Sequence, residues 1–331
     1  MTARIASCQC TEAAFQRLAT RPRGYGAAVP EWDPDVVVDE ALVRALLAEQ
    51  FSELRAHSVR LVGEGFDNSV WVVDEEWAFR FPRRAIAVPL VTREVAVLPR
   101  VAPLLPAPVP VPRFVGTESE LFPRPFFGHR LLGGVEPADA GLTTAQRASL
   151  GVGMGRFLRA LHATATLEAA DGERMLPVDP NRRAEMPYRV QMTRDRLGAI
   201  EDLQPATRRR VDQILAEAEK LAPSTTQVLL HGDLHVRHVL VEQGMLSGVI
   251  DWGDVCVGDP SIDLLFVWSV LPQDARRGFF GEYGPIDDET ALRAQVLAIH
   301  LSAVLGLYAR DQGLAALERE TRAGLERALV D

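Results

Sequence analysis

Two short acidic loops, each held between apolar runs, constrain this chain more than any other feature. The first is His231-Gly-Asp-Leu-His-Val-Arg-His238 and the second is Asp251-Trp-Gly-Asp254. Val228-Leu-Leu230 leads into the first loop, Val239-Leu-Val241 leaves it, and Leu246 to Ile250 leads into the second. Short β-prone runs broken by glycine read as strands. The polar residues therefore sit on loops fixed by strands, where rigid scaffolds usually present chemistry.

The order strand, acidic loop, strand, turn, strand, acidic loop is that of a kinase C-lobe, which brings a catalytic Asp and a metal-binding Asp to one cleft. His231-Gly-Asp-Leu-His235 followed by Ile250-Asp-Trp-Gly-Asp254 resembles the aminoglycoside/macrolide phosphotransferase family, the protein-kinase-like small-molecule kinases. That resemblance implies an α+β, bilobal fold. A small antiparallel-sheet N-lobe would cover the nucleotide, and a mainly helical C-lobe would carry the catalytic loop, the metal site and the acceptor pocket. The expected divisions are an N-terminal arm over 1–35, the N-lobe over 36–132 and the C-lobe over 133–331.

Composition limits the partners. The 331 residues carry a net charge of −9, so no basic surplus exists to neutralise nucleic-acid phosphates. Hydrophobic residues make up 47%, enough for a large core in each of two lobes. Of the 36 Lys plus Arg only Lys220 is a lysine, so any cation a site needs must be arginine. The 3 cysteines, Cys8, Cys10 and Cys256, lack metal-ligand spacing and read as thiols of a reduced, cytoplasmic protein. Cys256 reads as a small buried filler. No signal pattern opens the chain and no apolar run suggests a membrane span. A monomer or a dimer is expected.

In chain order, Asp39 reads as the cap of a helix through Phe51. Residues 58–73 read as a hairpin around Gly63-Glu-Gly65-Phe-Asp-Asn68, whose backbone can close over phosphates. Any glycine-rich turn looks similar, so the hairpin gains its meaning from the acidic loops. Trp77 to Phe81 alternates as a strand carrying Arg80, and a helical period follows from Ile86 to Val101 with Glu94 on it. Arg83 and Arg84 read as solvated. Five prolines between Pro103 and Pro112 predict an extended connector rather than helix. Strands over 113–116 and 126–132 lead to a linker over 130–134. Thr143 with Gln146 predicts a capping box on a helix to His162. Asp179-Pro180 predicts a helix start, and Pro205 another. Asp259-Pro260 opens an apolar helix bearing Asp263, which must be hydrogen-bonded if buried. Residues 279–285 read as a turn, followed by two terminal helices.

The resemblance assigns roles. Asp233 takes the proton of the acceptor hydroxyl, and Asp251 chelates Mg²⁺ bridging the phosphates of ATP or GTP. Gly63, Gly65 and Asn68 cradle the phosphates. Arg80 reaches them where relatives use Lys or Arg, with Glu94 as its acidic partner. His231 shapes the loop, and His235 faces either the γ-phosphate or the acceptor. Asp254 supports the metal or caps its turn, and Asp263 braces the catalytic loop. His238 stands where most relatives have Asn. An imidazole is a poorer Mg²⁺ ligand than an amide oxygen, which puts a second metal in doubt; macrolide kinases of the family also carry His here, so the resemblance tilts toward the macrolide branch. The acceptor is a small-molecule hydroxyl, macrolide, aminoglycoside or an endogenous metabolite. Two other classes stay open: a nucleotide-binding kinase without turnover, and a metal hydrolase built on His231, Asp233, His235, His238 and Asp251.

Overall fold

Alternating apolar residues between 59 and 130 hydrogen-bond into one antiparallel sheet of 5 strands in the order β1-β2-β3-β5-β4. The strands are β1 (Val59–Glu64), β2 (Asn68–Val73), β3 (Trp77–Pro82), β4 (Pro112–Gly116) and β5 (Phe126–Arg130). The computed structural model describes residues 35–65, 67–200 and 202–330; the expected N-terminal arm, with Cys8 and Cys10, lies outside them. Helix α1 (Glu40–Gln50) starts where Asp39 accepts the Leu42 amide at 2.8 Å, as a capping carboxylate should. It lays Val43, Leu46 and Leu47 on the sheet, beside buried Phe51, Phe79, Phe81, Phe114, Phe122 and Phe126.

A second helix, α2 (Val88–Val101), buries Val91, Glu94, Val97, Leu98 and Val101. Its last turns join a second, larger core, so α2 touches both halves. Glu94 is then a carboxylate on an otherwise apolar buried stripe, which demands a cationic partner.

The remainder is helical around two short two-stranded sheets. Helices α3 (Pro137–Ala140), α4 (Thr144–Leu161), α5 (Thr164–Asp171), α6 (Met186–Gly198) and α7 (Pro205–Ala218) come first. Strands β6 (Val228–Leu230), β7 (Val239–Glu242), β8 (Met245–Val249) and β9 (Cys256–Gly258) follow, β6 pairing β9 and β7 pairing β8. The chain closes with α8 (Ser261–Val270), α9 (Gln273–Tyr283), α10 (Asp288–Asp311) and α11 (Ala315–Ala328). Thr143 and Gln146 form the expected capping box of α4. Helix α8 is apolar on all sides because it is enclosed on all sides. Burying each of its large side chains stabilises the fold by about 1.5–3 kcal/mol.

Several expectations needed correction. The helix predicted from Asp179-Pro180 begins at Met186, because Asp179 caps a tight turn instead, accepting the amides of Arg183 at 2.8 Å and Ala184 at 2.9 Å. Residues 279–283 are the end of α9, not a turn; Phe279 is fully buried and Tyr283 packs against it. The proline connector opens with a 3-10 turn over Ala102–Leu104, since Pro103 can occupy a first helical position. Helix α10 is long and apolar enough to cross a membrane by length and composition. Its most apolar stretch is 67% buried and it packs on α8 and α11, as a core helix does.

Candidate active site

The two acidic loops approach each other because β6 and β9 pair directly beneath them. Gly232 makes the approach possible. It has φ 85°, and a Cβ there would lie 2.2 Å from the Asp254 carbonyl oxygen. Asp251 also has a left-handed backbone, φ 67°, rare for a side-chain-bearing residue and common at functional positions. The first loop is held from below by Asp263 on α8, which accepts the His231 amide at 2.8 Å and the Gly232 amide at 3.0 Å. His231 Nε2 meets the Ile250 carbonyl at 2.9 Å, so its Nε2–H donates and ties one loop to the strand entering the other. Its Nδ1 then accepts the Asp233 amide at 3.3 Å.

On this frame the side chains converge. The Asp233 carboxylate lies 3.6 Å from His238 Nδ1, 3.7 Å from His235 Nε2 and 3.8 Å from Arg183. His238 Nε2 lies 3.3 Å from Asp251 Oδ2, and Asp251 Oδ1 accepts from Arg80 at 3.2 Å. Arg80 donates its other arm to Glu94 at 2.9 Å. One continuous row therefore runs from Glu94 through Arg80, Asp251 and His238 to Asp233. The glycine loop is placed by register: Gly63 pairs with Val70, Val70 with Arg80, and Arg80 with Phe127, a single line across the sheet. A turn closed by the Gly65 amide on the Asn68 carbonyl at 2.8 Å sits at its edge.

The electrostatics follow from burial. Burial and the Asp254 carboxylate push the Asp233 pKa well above the ordinary carboxylate range, and Arg183 opposes them. Burial lifts Glu94 to about 7, again against the pull of an arginine, Arg80. Burial lowers His238 to about 4, so its ring is neutral. His238 Nδ1 meets the Asp233 carbonyl at 2.7 Å and must carry the proton there. Its buried Nε2 makes no hydrogen bond and points a lone pair at a carboxylate. Two acceptors facing each other are relieved by a cation between them, so Asp251 and His238 fit a divalent metal.

By distance alone, Asp233, His235 and His238 form a metal cluster, with ligand atoms within 4.8 Å of one another. The tautomer of His235 opposes that arrangement. Its Nδ1 accepts the Arg237 amide at 3.2 Å, and burial holds the ring neutral, so Nε2 carries the proton where a metal would need a lone pair.

Four cations were missed or misread in the sequence. Arg183, buried, donates to Asp254 at 2.8 Å, which fixes Asp254 as an arginine anchor. Arg93 donates to the Gly253 carbonyl at 3.0 Å, so α2 grips the second acidic loop as well as Arg80. Arg83 and Arg84 are not solvated: they pin the glycine loop through the Gly65 carbonyl at 3.0 Å and the Asp67 carboxylate at 3.3 Å. In the linker, the Leu131 amide is taken by the Glu76 carbonyl at 2.8 Å and the Gly133 carbonyl by Ser247 at 2.9 Å. Cys256 is buried and unoxidised.

Comparison with known proteins follows this geometry. A sequence profile described as the phosphotransferase enzyme family matches residues 58–295. Viomycin phosphotransferase of Streptomyces vinaceus is 34% identical over 128 residues, 38% of this chain and 40% of that protein. An aminoglycoside 3'-phosphotransferase of Escherichia coli is 33% identical over 78 residues, 22% of this chain and 29% of that protein. The matched stretches thus span less than half the length of these curated relatives. Among solved structures, the GDP complex of aminoglycoside 2'-phosphotransferase-IIIa superposes with a TM-score of 0.65 at 23% identity, covering 86% of this chain and 99% of that one. A macrolide 2'-phosphotransferase from Brachybacterium faecium gives 0.57 at 25% identity, covering 87% and 98%.

Proposed function

The chain belongs to the phosphotransferase enzyme family, and from that membership we propose that it transfers the γ-phosphate of ATP or GTP to a hydroxyl of a small, antibiotic-like molecule. The observation that carries this reading is the single row Glu94, Arg80, Asp251, His238, Asp233, in which the two loop aspartates flank one histidine at 3.3 and 3.6 Å. Phosphoryl transfer needs little covalent help; it needs a placed hydroxyl, a proton acceptor and cations around the phosphates.

Each side chain has one task in this scheme. Asp233 orients the acceptor hydroxyl and takes its proton late in transfer, when the oxygen has become acidic enough to give it up. Arg80, held straight by Glu94, faces the triphosphate with a planar two-pronged donor. Gly63, Gly65 and Asn68 form the turn that covers the phosphates. Asp251 and His238 would hold Mg²⁺, which supplies charge neutralisation along the phosphates. Arg183 holds Asp254, and Asp263 and His231 hold the loop. His235 shields Asp233 with an N–H.

The acceptor reading favours macrolide-like, weakly charged molecules over polycationic aminoglycosides. Support comes from Arg183, 3.8 Å from the Asp233 carboxylate, which would repel an ammonium group placed beside the reacting hydroxyl. A thermal-shift screen of nucleotides with Mg²⁺ and of both antibiotic classes, followed by a transfer assay, tests the whole reading. Asp233→Ala should abolish transfer and leave nucleotide affinity within about twofold, since the carboxylate acts on the acceptor. Transfer surviving in Asp233→Ala would remove that residue from its role.

A further inference from the structure

Tyr283 ends α9 with its hydroxyl 2.8 Å from His162 Nδ1, and His162 Nε2 lies 3.2 Å from Asp263 Oδ2. Asp263 in turn accepts the amides of His231 and Gly232 at 2.8 and 3.0 Å. A half-buried phenol is thereby connected, through three hydrogen-bonded steps, to the loop that carries Asp233.

The direction of each bond follows for a His162 ring that carries one N–H. A carboxylate only accepts, so the His162 nitrogen facing Asp263 carries a proton. A neutral imidazole has one N–H. Its Nδ1 is therefore an acceptor, and the Tyr283 O–H donates to it. Burial beside Asp263 and Asp259 raises the Tyr283 pKa, which keeps the hydroxyl proton in place. The opposite tautomer would set an imidazole lone pair against the carboxylate in a water-poor interior, an expensive arrangement.

We infer that Tyr283 is a positioning residue for phosphoryl transfer: its hydroxyl, donating to His162 Nδ1, holds the ring in the orientation in which Nε2–H completes the hydrogen bonding of Asp263, and so fixes the Asp233 loop. The inference rests on the phosphotransferase reading for its kinetic consequence, and on geometry alone for the orientation of the ring. Without the Tyr283 donor, His162 Nδ1 is left unsatisfied, and nothing holds the ring against rotating away from Asp263 toward another donor. Asp263 then loses its third donor, and the loop it braces loosens. The effect belongs on kcat, because the nucleotide contacts lie elsewhere.

The test has two arms. Long-range ¹⁵N–¹H NMR of histidine-labelled, ligand-free protein should show His162 as the Nε2–H tautomer, with that proton shifted downfield by its bond to Asp263, and Tyr283→Phe should lose the downfield shift as the ring turns. Phenylalanine preserves the ring packing against Phe279, which lies at 5.6 Å. In parallel, kcat for nucleotide turnover by Tyr283→Phe should fall about tenfold with the nucleotide KM unchanged. Glu282→Gln, which breaks only the 2.8 Å surface pair with Arg156 next door on α9, should leave both readouts at wild-type values. An Nδ1–H tautomer in the wild-type protein overturns the inference even if the variant does not fold. So does an unchanged Nε2–H shift and kcat in Tyr283→Phe, or an equal loss of kcat in Glu282→Gln. If the protein turns over no nucleotide, the phosphotransferase reading fails, and the NMR arm still decides the role of Tyr283.

Discussion

Replacing Gly232 by alanine tests the idea that the acidic loops must nearly touch. The added Cβ would sit 2.2 Å from the Asp254 carbonyl oxygen and 3.0 Å from its carbonyl carbon, backbone atoms with no rotamer to escape into. Restoring an ordinary carbon–oxygen contact requires the loops to part by roughly 1 Å. A φ of 85° is open to glycine and costs alanine about 1–2 kcal/mol. Overpacking a closed interior adds about 1–3 kcal/mol, so a total loss of about 2–5 kcal/mol is expected by urea unfolding. Asp233 and Asp254 both ride on the displaced backbone, and a misplacement of about 1 Å typically costs about 10²-fold in rate. Gly198→Ala, at the end of α6, is the control: a Cβ there meets nothing within 4 Å. A Gly232→Ala protein with wild-type midpoint and turnover would refute the claim that this contact governs the site.

The remaining predictions concern the buried ion pairs. Glu94, lifted from 4.5 to about 7, binds a proton more tightly folded than unfolded, so its contribution to stability is full below about 4.5 and is lost as pH rises through about 7. Stability of the wild type relative to Glu94→Gln should therefore decline across that window in urea titrations, and a flat difference would contradict the assignment. Arg183→Met strands the Asp254 carboxylate and removes the cation nearest Asp233. Turnover should fall about 10²-fold and stability by about 3 kcal/mol, while Arg182→Met, exposed beside it, should do neither. Equal activity of the two variants would take Arg183 out of the site.

Much of this arrangement was legible because it is local. The two loop motifs, their flanking strands, the Asp39 cap and the Thr143–Gln146 box each lie within a few residues, where pattern and propensity speak. Asp263 was legible for a different reason: a carboxylate on an apolar helix must find donors, and it found the amides of His231 and Gly232. Arg183 was not legible. It meets Asp254 across 71 residues, and in a chain with 36 Lys plus Arg no local pattern marks which arginine turns inward. The same holds for Arg93, found on the Gly253 carbonyl, 160 residues away. The helix start at Asp179 failed because a capping carboxylate serves a turn as well as a helix. Residues 279–283 failed because glycine and aromatic composition suggested a turn where tertiary packing on α4 enforces helix.

Arg80 reaches Asp251 across 171 residues and so joins the sheet to the helical half. Any anionic ligand that draws the Arg80 guanidinium to itself must win it from that carboxylate. Measured nucleotide affinity is then a difference between two bonds, the one made and the one surrendered. Conditions that weaken the internal tie sharpen binding as readily as those that strengthen the external one.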